Sequence, residues 1–218
     1  MTGISFDVST LTNPSIVVDT KLVQFTQTEV KYGSLERTIQ LTGTDHVGFD
    51  TVALQSPAVT AFSVSSDQVV FKSVQLTNFV SATANAIAVT NDGTLSIENM
   101  YSNGTTGTDG ILKITTADPV AKSPVLSING FFVDSVASKE PVLSIVGGTS
   151  ATFPTALTMS NVKIASFNGR AISVSKAVVT MVASELSSST KDATDTTASA
   201  VLLTDVQNLN LTQVYMTT

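Results

Sequence analysis

One histidine, two arginines (Arg37 and Arg170) and no cysteine leave this chain little apparatus for chemistry beyond its 17 carboxylates. His46 follows Asp45 in the polar stretch Thr42-Gly43-Thr44-Asp45 and reads as a solvated turn residue. A single imidazole builds no multi-histidine metal centre within one chain, and any nucleophilic triad would have to use it. Carboxylates can work in pairs as acid and base, or gather a hard cation, but both uses require them to converge. The sequence holds no Asp-x-Asp-x-Asp-Gly loop and no Gly-Gly-x-Gly-x-Asp array. Calcium is therefore not expected, no cofactor is expected, and catalytic, cofactor and metal residues are all expected to be none.

What any side chain can reach depends on the elements that place it, and those elements repeat. With Φ for an apolar residue, the pattern Φ-x-Φ-x-x-Φ-x-Φ recurs about eight times. It reads Val47/Phe49/Val52/Leu54, Val69/Phe71/Val74/Leu76, Leu126/Ile128/Phe131/Val133, Leu157/Met159/Val162/Ile164 and Leu209/Leu211/Val214/Met216, with a shorter copy at Leu95/Ile97/Met100. Two copies carry a hydroxyl at the sixth place, Thr28 and Ser184. Neighbouring copies are as close as 22 residues (Val47 to Val69) and as far apart as 31 (Leu95 to Leu126), the spacing of a solenoid repeat. A second motif, Φ-x-Φ, precedes each copy, as in Ile39/Leu41, Ile87/Val89 and Ile172/Val174.

Alternation with a period of two marks strands buried on one face, and the two-residue gap inside the longer motif marks a bend. The expected fold is all-β, a right-handed parallel β-helix of about eight coils with three short strands per coil, forming one domain over residues 1–218. Small residues before the first strand (Thr38, Ala61, Ala86, Ala171 and Ala200) suggest a tight corner. The run from Ser187 to Ser199 holds no apolar residue larger than alanine after Leu186 through Ala198, and reads as a mobile loop.

Stacked coils turn equivalent outward places into columns. The fourth place gives Thr26, Asp50, Lys72, Glu98, Asn129, Ser160, Val182 and Thr212, a face on which charge alternates from Asp50 to Glu98. The seventh gives Glu29, Ala53, Gln75, Tyr101, Phe132, Lys163, Glu185 and Tyr215. Tyr101 beside Phe132 is an aromatic step able to stack on a sugar ring, and these two residues are the candidate ligand-contact surface. At the fifth place Asn99 and Asn161 are expected to bond neighbouring backbone. Thr158 and Thr180 share the second place in adjacent coils, too short a threonine array for ice binding.

Composition narrows the classes further. The chain is 42% hydrophobic and 13% charged, so it buries a core rather than staying disordered. A net charge of −6, spread along the sequence, excludes the clustered basic face that nucleic acid needs. No segment approaches the roughly 20 apolar residues of a membrane helix, so no membrane insertion of this segment is expected. Met1-Thr2-Gly3-Ile4 shows no export signal, and Ile4-x-Phe6-x-Val8 alternates like a strand. These ends are read as those of a fragment of a longer solenoid, or as edges that self-associate end to end. Asn103-Gly104-Thr105 matches the glycosylation sequon in a presumed loop.

Two phrases, Gly169-Arg170-Ala171-Ile172 and Asn85-Ala86-Ile87, resemble the Gly-Gly-Ala-Ile repeat of polymorphic outer-membrane-protein (autotransporter) passengers. Met100-Tyr101-Ser102-Asn103 resembles their Phe-x-x-Asn repeat, with Met in place of Phe. The resemblance covers roughly residues 16–216 and implies a right-handed β-helix at the cell surface. A non-enzymatic extracellular or cell-surface adhesin, stalk or structural scaffold is therefore expected, with a host-cell or matrix protein or a glycan as partner. The competing classes are a polysaccharide lyase or hydrolase and a subunit of a head-to-tail filament. Neither arginine falls beside an acidic pair in this register, which weighs against the lyase.

Overall fold

A computed structural model describes residues 5–7, 15–31, 38–55, 60–81, 85–103, 106–107, 110–117, 122–137, 140–167, 170–189 and 200–217. Strands follow one another along the chain. They are β1 (Ser5–Asp7), β2 (Ser15–Asp19), β3 (Leu22–Lys31), β4 (Thr38–Gln55), β5 (Phe62–Thr77) and β6 (Val80–Ser81). Next come β7 (Ile87–Asn91), β8 (Thr94–Asn103), β9 (Thr106–Gly107), β10 (Leu112–Thr116), β11 (Val125–Ala137) and β12 (Leu143–Val146). The last are β13 (Thr155–Phe167), β14 (Ile172–Ser175), β15 (Ala177–Ser189), β16 (Val201–Thr204) and β17 (Asn208–Thr217). The chain is a parallel β-solenoid of about six turns, fewer than the eight coils expected from the motif. Every motif copy joins the ladder, but β3 and β17 each have a full-length neighbour on one side alone, β4 and β15 respectively.

Register follows the apolar pattern residue for residue. Val47 pairs with Val69, Phe49 with Phe71, Val52 with Val74 and Leu54 with Leu76. The first-strand motif stacks the same way, Ile87 with Leu112 and Val89 with Ile114, then Leu143 with Ile172 and Ile145 with Val174. Because a slip of one residue would turn every apolar side chain outward, burial itself holds this register. The core is one continuous column of buried side chains from Val23 to Ala200. At its N-terminal end Phe25, Phe49 and Phe71 stack with near-parallel rings, at centroid distances of 5.2 and 4.8 Å, and Phe62 closes edge-on to Phe49 at 4.8 Å. Offset or edge contacts of this kind add roughly 0.5–1.5 kcal/mol per pair beyond the area they bury. Further along, the same column passes through Ile97, Ile128, Met159 and Met181.

The bend inside each motif has one cause. The fifth place is left-handed in every copy: Gln27, Thr51, Ser73, Asn99, Gly130, Asn161, Ala183 and Gln213 all have φ between 46° and 77°. One residue in that conformation reverses the strand's side alternation, so the third and sixth places both point inward. The conformation costs an ordinary residue about 1–2 kcal/mol, and Asn or Gly less. At Gly130 an added Cβ would lie 2.7 Å from Asn99 Oδ1 and 3.3 Å from the Phe132 ring, a crowding that a shift of the Asn99 side chain would relieve.

Several expectations change. The corner before the first strand is buried at Ala61, Ala86, Ala171 and Ala200, yet Ile111 and Val142 occupy the same column and are equally buried. It is closed less by small side chains than by backbone bonds: Ala61 N–H donates to Ala86 O at 2.7 Å and Ile111 N–H to Val142 O at 2.8 Å. Ser187–Ser189 belong to β15 rather than to a loop, paired with Ala165–Phe167, and Ser188 is buried. The remainder of the expected 187–199 loop lies outside the described residues, as do Ile4 and Val8 of the N-terminal alternation. Phe6 itself is in β1, alongside Val30. His46 sits within β4, half-buried, with its imidazole Nδ1 3.2 Å from Gln68 Oε1 on the adjacent rung. Sequence distance hid that partner, because the column puts a residue 22 positions away directly beside it.

Candidate binding face

The left-handed corner decides what the outer surface presents. Fourth-place residues leave on one side of it and seventh-place residues on the other. The fourth-place column forms as expected, Asp50 beside Lys72 and Lys72 beside Glu98. Among the described residues, however, the ion pairs are elsewhere, Lys31–Glu29 at 3.2 Å and Lys163–Glu185 at 3.1 Å. Both are exposed pairs, a class worth less than about 1 kcal/mol each. Asp50 instead accepts a hydrogen bond from the Thr51 hydroxyl, 3.1 Å away.

The seventh-place column is also in register: Tyr101 pairs with Phe132, Phe132 with Lys163, Lys163 with Glu185 and Glu185 with Tyr215 on adjacent rungs. Tyr101 is 37% exposed and Tyr215 71% exposed, while Phe132 is half-buried. Sequence reasoning singled out Tyr101 and Phe132; the structure brings them together and adds Lys163, Glu185 and Tyr215 to the same line. Two shallow clefts follow that line. One of about 410 Å³ is lined by Phe132, Asn161, Lys163, Glu185, Gln213 and Tyr215, among others. One of about 380 Å³ is lined by Tyr101, Phe132, Val133, Asp134, Lys163 and Ala165. Both fall within the range of small-ligand sites, roughly 300–1,000 Å³.

The floor of the larger cleft is held by Ser184, one of the two sixth-place hydroxyls. Its Oγ donates to Val182 O at 3.0 Å and accepts from Val162 N–H at 3.3 Å, tying two corners together from inside. Thr28 uses its hydroxyl likewise, donating to Thr26 O at 3.1 Å. An inward hydroxyl at the sixth place is thus satisfied by the corner's own backbone, which is why it can replace an apolar residue there.

A third cleft, of about 310 Å³, gathers Asp45, Asp67 and Asp92 at the turn between first and second strands. A hydrogen bond that protonated Asp67 donates to Asp92 raises the Asp67 pKa, helped by desolvation and by the like charges of Asp92 and Asp45, with Lys122 opposing. Among the described residues, no group of three or more His, Cys, Asp or Glu is arranged to hold a metal ion. Beneath this turn the buried Asn91 amide donates to Ser66 O at 2.9 Å, Asp67 O at 3.0 Å and Thr94 O at 3.1 Å, and its Oδ1 accepts from Gly93 N–H. It is a structural peg.

Asn103 ends β8 and is exposed, so its side chain faces solvent from a strand rather than from the loop expected. The residue before it behaves differently. Ser102 occupies the eighth place, fully buried between Leu76 and Val133, and its Oγ has no hydrogen-bond partner among the described residues. The sequence left that place unassigned because serine does not register as apolar. Among the described residues, no helix is long and apolar enough to cross a membrane. Comparison with known protein families, with curated proteins and with solved structures yields no match.

Proposed function

We propose that this chain is a non-enzymatic extracellular or cell-surface solenoid acting as an adhesin, stalk or scaffold. The observation that supports it is the seventh-place column, a rigid face carrying Tyr101, Phe132 and Tyr215 in one line with clefts beside them. Solenoids use such extended faces to bind. The resemblance to autotransporter passengers supports the same reading, with the chain outside the cell and a host-cell or matrix protein or a glycan as its partner.

Antibody labelling of intact source cells tests the location: staining without permeabilisation is expected, and staining only after it overturns the reading. Incubation with polygalacturonate tests the absence of catalysis. Release of new reducing ends in proportion to protein would favour the lyase or hydrolase.

A second reading, a subunit of a head-to-tail filament, draws on β17, where Leu209, Leu211 and Met216 occupy inward places but remain exposed. An exposed rung recruits a further rung. Sedimentation over a concentration series decides it, mass growing with concentration for the filament and staying monomeric against it.

A further inference from the structure

Resting on the surface-binding reading, we propose that the groove along Phe132, Lys163, Glu185 and Tyr215 binds a neutral glycan strand laid parallel to the solenoid axis. Its geometry is linear. Phe132 and Tyr215 stand three rungs apart, about 14 Å at the strand spacing, with Tyr101 one rung beyond Phe132. Aromatic rings along a straight line offer platforms for the C–H faces of successive sugars. Between them Asn161 and Gln213 project from the left-handed corner into the same cleft, bringing amide donors and acceptors to ring hydroxyls.

Charge and backbone select against the other occupants. Lys163 and Glu185 neutralise one another at 3.1 Å in mid-groove, and the chain carries −6 overall, so an acidic polymer gains no attraction there. An apolar ligand or lipid would strip water from that ion pair without replacing its hydrogen bonds, which is unfavourable. A peptide cannot join as an added strand between Phe132 and Glu185, because β11, β13 and β15 are each paired on both sides, and a strand added at the open edge of β17 would run across the groove rather than along it. A neutral, hydroxyl-rich chain satisfies all three conditions. It stacks on the rings and bonds the Lys163 and Glu185 heads without separating them.

The test is calorimetric titration of the full chain with cellohexaose, chitohexaose and laminarihexaose, with a galacturonate hexamer as the acidic contrast. At least one neutral hexasaccharide is expected to bind. Tyr215→Ala and Phe132→Ala should each weaken it by about tenfold, while Tyr215→Phe stays within about twofold of the parent. Thermal melts of each variant separate lost binding from lost folding, and Tyr215, being exposed, gives the cleaner comparison. Binding by none of the neutral hexasaccharides, full affinity in the folded Phe132→Ala/Tyr215→Ala double variant, or tighter binding of the galacturonate hexamer would overturn the proposal. A chain that labels intact cells but binds no hexasaccharide sinks the groove and spares the surface reading. One that binds a hexasaccharide but is found only inside cells does the reverse.

Discussion

In β11 the inward places Leu126, Ile128, Phe131 and Val133 are at most 3% exposed, whereas in β17 Leu209, Leu211 and Met216 are 46%, 42% and 41% exposed. The two strands carry the same motif, the same left-handed corner and similar residue types. What differs is stacking. β11 lies between β8 and β13, while among the described residues β17 pairs with β15 alone. An apolar pattern therefore specifies which way a side chain points, and the neighbouring rung determines how much water that side chain loses. Stability resides between coils rather than within them.

Substituting inside and at the edge of the stack measures this contrast directly. The largest effect is expected for Ile97→Asp or Phe71→Asp. Both side chains are buried in mid-stack, and an unpaired buried carboxylate costs several kcal/mol, comparable to the whole stability of a domain. Circular dichroism should show an unfolded or aggregated chain, and an unchanged melting temperature would refute the register. Asn91→Ala comes next. It leaves three carbonyls without their shared donor and should cost about 1–3 kcal/mol in chemical denaturation, with the loss confined to the turn at Ser66–Thr94 in hydrogen exchange.

Ser102→Val reverses the sign. Removing an unpaired buried hydroxyl and matching Leu76 and Val133 in the column should stabilise by about 1 kcal/mol, raising the melting temperature by roughly 2–4 °C. A lower melting temperature would show that the pocket has no room for the second methyl. Leu211→Asp, at the third place of the open rung, should change stability by less than about 0.5 kcal/mol. A loss as large as that of Ile97→Asp would mean that this face is covered in solution.

Much of this architecture was legible in the sequence, because alternation is a direct print of burial. The inward columns, the outward columns and the pairing of Tyr101 with Phe132 all follow from aligning the motif copies. What was not legible has physical reasons. The left-handed fifth place was hinted at by Asn99, Gly130 and Asn161, but Gln27, Thr51, Ser73 and Ala183 carry no such preference; stacking forces the conformation on them. Ser102 and Ser188 read as polar and proved to be core, since the column imposes burial whatever occupies it. Ile111 and Val142 defeated the small-residue rule for a corner that backbone hydrogen bonds hold closed. The groove needed the structure. Tyr215, Lys163 and Glu185 were in the right column, but nothing in the sequence said that the corner would open a cleft beside them.

The left-handed residue at the fifth place of every coil has a genetic consequence. Each coil carries its own corner and its own two inward motifs, and most differences in coil length fall between the paired stretches, with one-residue shifts inside them at Leu41/Thr44 and Val133/Val136. A duplication or loss of one whole coil would move every later rung one step along the axis and still leave each interior residue facing the kind of neighbour it had before. A gene encoding such a chain can lengthen or shorten in units of a coil without passing through an unfolded intermediate sequence, and the spacing of its surface platforms changes only in whole rungs.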